Sequence, residues 1–377
     1  MRRIDVKIIK LYAYLENNLG DDLMINILLN RYKNYRFYYC DEWERSDVFL
    51  KYKNFFTFKI IEQKFKSVNN FFNLFLPKSK KNYLINYISN YIDKHTICSV
   101  YIGGSIFMQH GDVRYGYGNI LRDKLKRLND GKLFIIGASF GPYFQEEYLE
   151  IYRKFFSKCR GVTFRDYHSF NLFKDLKQVK YASDVVFALK NNNQQNENVV
   201  DKQVVISIVN FETKDYYDDY KKFIKNFCIE VANRNKYPVL VSFCKYEGDE
   251  KAVSDIYDTL PETVKSITKK IFYSEDNIDV LLKLFQRCCF VLATRFHSMI
   301  LALKFNKPFF AISYAPKVSD YLNDLNFDCY CNLSEIKKIK AKDVFDYYFL
   351  SVKTENIQLY SEKAFLQLDT FLTGRLL

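Results

Sequence analysis

The segment Phe290–Lys317, which reads FVLATRFHSMILALKFNKPFFAISYAPK, shows most clearly the strand–helix–strand pattern of this chain. The apolar run Phe290–Ala293 ends in a polar Thr-Arg-Phe-His tetrad, and the apolar spacing after it predicts a helix over Ser298–Phe305. An Asn-Lys-Pro sequence then breaks the helix, and a second buried strand is predicted at Phe309–Ile312. Such a strand–helix–strand unit belongs to a parallel sheet, with polar residues collected where strands end and helices begin.

The same alternation of short apolar strands and longer helices extends over the rest of the chain. Strands are predicted at Val6–Tyr14, Arg36–Cys40, Ser99–Ile102, Leu133–Ile136, Gly161–Phe164, Val179–Ala182, Val204–Val209, Val239–Phe243 and Ile271–Tyr273. Helices are predicted at Leu23–Arg31, Glu146–Cys159, Tyr167–Leu176, Tyr217–Arg234, Glu250–Leu260, Ile278–Arg287 and Lys317–Leu325. This alternation indicates an α/β protein with a parallel, doubly wound sheet in each half.

A polar stretch divides the chain into two domains. KNNNQQNENVVDKQ is low in apolar residues and is typical of an interdomain linker. We therefore predict an N-terminal domain at residues 1–190, a linker at 191–203, a C-terminal domain at 204–340, and a helical tail at 341–377 that packs back across the junction. Two such domains enclose a cleft, which is the usual location of a substrate site.

Composition narrows the class of protein. The chain has 57 Lys and Arg against 44 Asp and Glu, but they are interspersed and no nucleic-acid recognition motif accompanies them, so no nucleic-acid partner is predicted. The net charge of +13 also fits a peripheral contact with an anionic membrane surface. No apolar run approaches the roughly 20 residues that cross a bilayer, and no signal peptide is apparent, which predicts a cytoplasmic protein. The nine cysteines show no paired CxxC spacing, so no metal site is predicted.

Basic side chains lie near the ends of the predicted strands in the segment Phe290–Lys317. Arg295 belongs to the polar tetrad that follows a predicted strand, His297 begins a helix, and Lys317 follows the next strand. Ligands of open α/β sheets bind at that edge, where helix N-termini favour anions, so a phosphate or carboxylate ligand is expected. Taken singly, Arg295 also reads as an ion-pair residue, His297 as a helix-capping residue and Lys317 as a solvated lysine.

The N-terminal half offers matching candidates at its own strand ends. Asn18 and Asp21 lie in a strand-to-helix turn, where they either cap the helix or contact sugar hydroxyls. The run Gly103-Gly104-Ser105 ends a short buried strand and permits close backbone approach to a ligand, or marks a tight turn. Arg165 ends another strand just before a helix, which repeats the pattern at Arg295.

Three common enzyme classes lack their signatures in this sequence. There is no GxGxxG turn for a dinucleotide, no GxxxxGK[ST] loop for a nucleoside triphosphate, and no GxSxG elbow for a hydrolase. The sequence therefore argues against a nicotinamide dehydrogenase, a P-loop enzyme and an α/β-hydrolase.

The ordered set of motifs resembles the polysaccharide pyruvyl transferase family. The motifs are Asn18–Asp22, Gly103-Gly104-Ser105, Phe164-Arg165-Asp166 with Ser169, Ser183-Asp184, Thr294-Arg295-Phe296-His297, and Tyr314-Ala315-Pro316-Lys317-Val318. The resemblance spans roughly residues 6–325 and implies a GT-B-like architecture of two Rossmann-like domains facing a cleft. Phe296 stands where the family commonly has leucine, and we expect a packing role for it.

The resemblance also implies a reaction. A pyruvyl (carboxyethylidene) group would pass from phosphoenolpyruvate to two hydroxyls of a sugar, forming a ketal and releasing phosphate. Arg165 and Arg295 would clamp the donor, His297 would be the general acid with Lys317 beside it, and Asp21 would face the acceptor. Further substrate-binding positions are expected at Asn18, Gly103, Gly104, Ser105 and Tyr314.

Our leading hypothesis is therefore a pyruvyl transferase acting on a precursor of a bacterial capsular or exopolysaccharide. Phosphoenolpyruvate would be a donor substrate with no further cofactor, and the acceptor a sugar or a lipid-linked oligosaccharide. One alternative is a GT-B-type glycosyltransferase that uses a nucleotide sugar, and another is a glycan-binding scaffold without catalysis. The sequence is silent on the oligomeric state.

Overall fold

A parallel sheet of seven strands forms the N-terminal domain. The computed structural model describes residues 7–39, 46–57, 87–88, 91–92, 94–113, 131–190, 201–213, 215–345 and 360–374. The strands are β1 (Ile8–Tyr12), β2 (Arg36–Tyr39), β3 (Phe55–Thr57), β4 (Thr96–Ile102), β5 (Leu133–Ala138), β6 (Gly161–Phe164) and β7 (Val179–Tyr181). Their spatial order is β3-β2-β1-β4-β5-β6-β7, and each neighbouring pair is parallel. The α-helices described here are α1 (Leu19–Arg31), α2 (Glu146–Phe156) and α3 (Tyr167–Phe173).

A second parallel sheet of six strands forms the C-terminal domain. Its strands are β8 (Gln203–Ile208), β9 (Tyr237–Ser242), β10 (Lys269–Phe272), β11 (Phe290–Ala293), β12 (Phe309–Ser313) and β13 (Tyr330–Asn332). Its helices are α4 (Tyr217–Asn233), α5 (Asp249–Asp258), α6 (Glu262–Lys265), α7 (Ile278–Arg287), α8 (Phe296–Lys304) and α9 (Pro316–Asp324). The order β10-β9-β8-β11-β12-β13 is that of a doubly wound nucleotide-binding sheet.

Short 3₁₀ helices and one further α-helix complete the described elements. The 3₁₀ helices are Ser46–Lys51, Val185–Ala188, Glu275–Asn277, Leu333–Lys338, Ala341–Phe345 and Lys363–Phe365. The last α-helix is α10 (Leu366–Thr373). The predicted α/β fold class with two Rossmann-like domains is thereby confirmed. Residues 191–200 of the predicted linker lie outside the described residues, and the exact domain boundaries stay a prediction.

The sequence missed two edge strands and misplaced two helix starts; α8 begins at Phe296, two residues before the predicted Ser298. Strands β3 and β13 have three residues each, too few to show a periodic pattern. Helix α1 begins at Leu19 and not at Leu23 as predicted, because the Asn18 side chain accepts a hydrogen bond from the Gly20 N–H at 3.0 Å and caps the helix there. The earlier start matters for function, since it brings Gly20 and Asp21 into the first turn.

Backbone and side-chain hydrogen bonds join the two domains at the cleft floor. The Leu19 N–H donates to the Phe243 carbonyl at 3.0 Å, so α1 begins against the loop that follows β9. The buried Tyr273 hydroxyl donates to the Asp22 carboxylate at 2.6 Å. Lys304 of α8 donates to the Phe187 carbonyl at 2.8 Å. One continuous cluster of buried apolar side chains also includes residues of both sheets, so the domains share a core.

Helix α10 packs against the N-terminal domain. The guanidinium of Arg31 in α1 forms an ion pair with Asp369 at 2.7 Å, and the Tyr32 hydroxyl donates to the same carboxylate. The rings of Phe134 in β5 and Phe371 lie 5.3 Å apart. These contacts make the chain cross back to its first domain after completing the second.

Candidate active site

A cavity of about 580 Å³ lies at the carboxyl ends of strands from both sheets. Of the residues predicted from the sequence, its walls include Asn18, Asp21, Gly104, Ser105, Arg165, Arg295, His297, Tyr314 and Lys317. Gly103 is buried at the end of β4 and does not line the cavity. The structure therefore brings nine of the ten candidate residues to one site, with contributions from both domains.

His297 occupies the first turn of α8 and packs against the first turn of α1. A Cβ built on Gly20 would lie 1.8 Å from the His297 Nδ1 atom, so any larger residue at position 20 displaces the imidazole. The Nε2 atom lies 3.4 Å from Arg165 Nη1 and 3.7 Å from Asp184 Oδ2. Burial lowers the pKa of His297 to about 4, and the nearby cations Arg165 and Lys317 act in the same direction against Asp184. The imidazole is therefore neutral at pH 7 in this arrangement.

Arg165 is held by two side chains of the N-terminal domain. Its Nη1 donates to Asp184 Oδ2 at 2.8 Å, and its Nε donates to the Ser139 hydroxyl at 2.9 Å. Both Arg165 and Asp184 are buried. The remaining nitrogen, Nη2, has no hydrogen-bond acceptor within the described part of the chain. Arg165 thus keeps one donor group for a ligand in the cavity.

Gly104 allows the guanidinium of Arg165 to lie directly on the backbone. A Cβ at this position would lie 2.5 Å from Nη2 and 2.6 Å from Nη1. The Gly104 carbonyl accepts the Ser139 N–H at 2.8 Å, and its own N–H donates to the Asp21 carboxylate. The close approach that glycine permits here is to the protein's own arginine.

Phe296 takes the packing role expected of it and adds an electrostatic contact. The Arg165 guanidinium carbon lies 4.4 Å from the centre of the Phe296 ring, and the Tyr321 ring packs edge-on against the same phenyl group at 5.4 Å. A cation over an aromatic face is stabilised by the ring quadrupole. Phe296 of the second domain thereby supports an arginine of the first.

Arg295 already has carboxylate partners on all three of its guanidinium nitrogens. Nε donates to Asp249 at 2.8 Å, Nη2 donates to the other oxygen of Asp249, and Nη1 donates to Glu247. Asp249 is fully buried and also accepts the backbone N–H groups of Phe243 and Cys244. The ion-pair interpretation of Arg295 therefore describes this structure, and a ligand can reach Arg295 only by replacing an existing partner.

Lys317 and Tyr314 contribute the wall formed by the β12–α9 turn. The Lys317 ammonium donates to the Ser105 hydroxyl at 3.0 Å, which links this turn to the glycine turn after β4. The ammonium lies 5.9 Å from the centre of the Tyr314 ring, and that ring packs against Phe211 at 5.5 Å. Because the hydroxyl is uncharged, this contact does not neutralise the ammonium group.

Asp21 supplies a carboxylate near these cations. Burial raises the pKa of Asp21 to about 6, while Arg165, the Gly104 N–H and Lys317 hold it from rising further. A carboxyl group with this pKa is mainly ionised at pH 7 and still accepts a proton readily. Its neighbour Asp22 has a different role, because it binds Tyr273 in the interdomain floor.

Three acids of the site were missed as site residues by sequence reasoning. In the sequence Asp184 stands out only as part of a family motif, and Glu247 and Asp249 both fall in a predicted loop at Lys245–Asp249 that precedes a helix. The local signal at Asp184 is that of a helix cap, and it does cap Val186 through Oδ1 at 2.8 Å. Its second oxygen binds Arg165, a contact across 19 positions that no local pattern reveals.

In the part of the chain that the structure describes, no group of three or more His, Cys, Asp or Glu side chains is placed to hold a metal ion. Over the same residues, no helix combines the length and apolar character needed to cross a membrane.

The fold is similar to several solved structures of low sequence identity. Anabaena Alr3699/HepE in complex with UDP matches over 98% of this chain and 100% of its own, with a TM-score of 0.51 and 11% identity. The S. aureus MnaA–UDP structure matches over 98% and 97%, with a TM-score of 0.56 and 11% identity. UDP-GlcNAc 2-epimerase from Neisseria meningitidis bound to UDP-GlcNAc matches over 98% and 100%, with a TM-score of 0.56 and 11% identity. These likenesses establish the GT-B fold.

The sequence comparison is more specific. No curated protein matches the chain, but the family model described as polysaccharide pyruvyl transferase matches residues 18–316. The match begins at the cap of α1 and ends at the first residue of α9, so it includes every candidate site residue except Lys317. The chain therefore belongs to the polysaccharide pyruvyl transferase family.

Proposed function

We propose that this protein transfers a pyruvyl group from phosphoenolpyruvate to a sugar of a bacterial surface polysaccharide precursor in the cytosol. The observation that carries the proposal is the convergence of His297, Arg165, Lys317 and Asp21 on one cavity between the domains. Two cations, a histidine and a carboxylate match a reaction that binds a small anion, protonates carbon and deprotonates hydroxyls.

The donor is matched by the charges left available in the cavity. Phosphoenolpyruvate carries a phosphate and a carboxylate on one small skeleton. Arg165 Nη2 and the Lys317 ammonium are the donor groups that keep capacity for such a ligand. Helix α8 adds backbone N–H groups at its start, where Arg295 is the N-terminal cap residue and provides no side-chain cap.

His297 becomes a suitable acid only when an anion is present. Its pKa of about 4 reflects burial beside the cations Arg165 and Lys317. A dianion placed between His297 and Lys317 offsets those cations and raises the pKa toward neutrality. Binding of the donor would in this way favour the protonated form of His297, which then protonates the donor.

The reaction then proceeds in two bond-forming steps. His297 gives its proton to the methylene carbon of the donor, and one sugar hydroxyl bonds to the adjacent carbon while Asp21 accepts the hydroxyl proton. Phosphate leaves with the electron pair of its C–O bond, and the second hydroxyl closes the ketal and gives up its proton. The products are the ketal and inorganic phosphate. The two hydroxyls release two protons in all: one replaces the proton that His297 donated, and the other leaves on the phosphate.

The decisive experiment is phosphate release from phosphoenolpyruvate in the presence of candidate glycan acceptors. Replacement of His297 by Gln should lower kcat by about 10²–10⁴-fold, the usual contribution of a general acid, with the melting temperature unchanged or raised. His168→Gln is the matched control, because His168 also lies in the first turn of a helix but is exposed.

Two results would overturn the proposal. One is His297→Gln turnover equal to that of wild type. The other is consumption of a nucleotide sugar by the wild-type protein, with no phosphoenolpyruvate turnover under any acceptor. The latter would favour the glycosyltransferase alternative, with which the GT-B fold is also consistent.

A further inference from the structure

The two acids that bind Arg295 differ in how firmly they are held. Asp249 is fully buried, pairs with two guanidinium nitrogens and accepts the backbone N–H groups of Phe243 and Cys244 at 3.1 and 3.0 Å. Glu247 is 47% exposed, and its carboxylate contacts only Nη1 of Arg295 within the described part of the chain. Half-exposed ion pairs of this kind contribute little stability and exchange readily, whereas a buried, multiply hydrogen-bonded pair does not.

Glu247 lies where a ligand anion would approach. It belongs to the turn between β9 and α5, two residues before Asp249, and it lines the same cavity as Arg295, His297 and Lys317. Asp249 blocks the Nε and Nη2 side of the guanidinium from within the second domain. Nη1 is therefore the nitrogen of Arg295 that an anion in the cavity reaches, and Glu247 covers it.

The charges around Arg295 favour the replacement of Glu247 by a ligand anion. Arg295, Asp249 and Glu247 together carry one excess negative charge beside the site where a dianion is proposed to bind. If Glu247 stays in place, it repels the incoming donor. If Glu247 turns outward to solvent, Arg295 keeps only Asp249 and has a donor group free for the ligand.

We propose that Glu247 is a built-in competitor of the donor: an anionic group of the substrate displaces it from Nη1 of Arg295, and Glu247 thereby sets the donor affinity. This inference rests on the proposed function for the identity of the donor. Neutral ligands are not able to replace a carboxylate on a guanidinium, so the exchange also selects for anionic ligands.

The test is calorimetric titration of wild type, Glu247→Gln and Glu247→Ala with phosphoenolpyruvate, inorganic phosphate and UDP. Removing a competitor that occupies the site most of the time should lower the dissociation constant of phosphoenolpyruvate by about 3- to 10-fold. In turnover, KM for the donor should fall by a similar factor with kcat nearly unchanged. A purely structural role of Glu247 would not tighten binding.

Glu335→Gln is the matched control, since Glu335 is 46% exposed and pairs with Lys338 away from the cavity. It should bind like wild type. Equal or weaker phosphoenolpyruvate binding by both Glu247 variants overturns the inference and leaves the proposed function standing. A loss of kcat in Glu247→Gln without tighter binding also overturns it, because Glu247 would then act in the reaction itself.

The remaining outcomes separate the two proposals. If wild type binds UDP but not phosphoenolpyruvate, the proposed function fails, and the inference is judged by whether Glu247→Gln tightens UDP. If wild type binds none of the three anions, both are overturned.

Discussion

Arg165 and Arg295 occupy similar local settings in the two domains, and they differ in their partners. Each lies within two residues of the end of a buried parallel strand and just before a helix. Arg165 shares one buried acid, Asp184, with His297 across the domain junction and retains a nitrogen for a ligand. Arg295 is saturated by two acids of its own domain. The strand end fixes where a guanidinium emerges, and the neighbouring loops decide how much of it is available.

The largest expected effect is a difference in the free energy of unfolding between the Arg295→Gln and Arg165→Gln variants. Arg295→Gln leaves the buried Asp249 carboxylate without its cation and should lower the free energy of unfolding by about 3–5 kcal/mol. Arg165→Gln should cost less, because His297 lies 3.7 Å from Asp184 and becomes protonated in its place. Urea unfolding of both variants measures the difference.

Arg287→Gln, which breaks an exposed pair with Asp201, serves as the control and should stay within about 0.5 kcal/mol of wild type. A greater loss of stability in Arg165→Gln than in Arg295→Gln would contradict the comparison.

The next effect tests the contact between Arg165 and the backbone. Gly104→Ala places a methyl group 2.5 Å from Nη2 and forces the guanidinium to move. A shift of about 1 Å should reduce kcat/KM by up to about 10²-fold. Gly161→Ala is the comparison variant, since its Cβ would also make a close contact, 2.8 Å from Gln367 Oε1 and 3.0 Å from Gln367 Cβ, but away from the cavity. Similar activity in the two variants would show that the position of Arg165 is not critical.

A smaller effect is expected from neutralising the acid that Arg165 and His297 share. Asp184→Asn keeps an oxygen to cap Val186 but removes the charge that opposes the lowering of the His297 pKa. Turnover limited by protonated His297 should fall about tenfold for each unit by which that pKa drops. The rate profile should also shift to lower pH.

Asp166→Asn, at the cap of α3, should leave that profile unchanged. If both variants behave alike, Asp184 acts only as a helix cap.

The smallest expected effect concerns how the free energy of unfolding depends on pH through His297 and Asp21, which both lie close to Arg165. The folded-state pKa of His297 is about 4, below its ordinary 6.5, so its contribution is present above pH 6.5 and is lost as pH falls toward 4. The folded-state pKa of Asp21 is about 6, above its ordinary 3.8, so its ionisation lowers stability as pH rises from 3.8 to 6. Between about pH 4 and 6 these opposite contributions cancel, each worth roughly 1 kcal/mol per pH unit.

Denaturant unfolding of His297→Gln and Asp21→Asn at several pH values separates the two opposing contributions to the free energy of unfolding. The stability of His297→Gln relative to wild type should decrease as pH rises through this window, and that of Asp21→Asn should increase. Parallel pH profiles for wild type and both variants would contradict the proposed environment of Arg165.

The sequence predicted the positions of the candidate site residues better than it predicted the partners of their side chains. Arg165, Arg295, His297 and Lys317 were placed at strand ends by local pattern, and parallel sheets bring such ends to one edge. The partners Glu247 and Asp249 come from a turn whose only local signal is that of a helix start. Pairings between distant parts of the chain depend on packing, which residue periodicity does not encode.

Two glycines also show that local sequence patterns do not reveal contacts between distant residues. A glycine in the first turn of a helix, such as Gly20, carries no local requirement. A lone Gly-Gly pair such as Gly103-Gly104 predicts either close approach to a ligand or a tight turn. The structure shows instead that Gly20 accommodates the imidazole of His297 and Gly104 the guanidinium of Arg165. Both needs arise from side chains more than 60 positions away.

The return of α10 to the first domain has a consequence for biosynthesis. Arg31 and Tyr32 share the carboxylate of Asp369, and Phe134 packs on Phe371, so the outer face of the first sheet is completed by a helix translated after the entire second domain. A nascent chain on the ribosome therefore carries an uncovered apolar surface until that helix emerges. Since domains commonly fold as units during translation, we expect the first domain to complete its folding only after α10 has been translated.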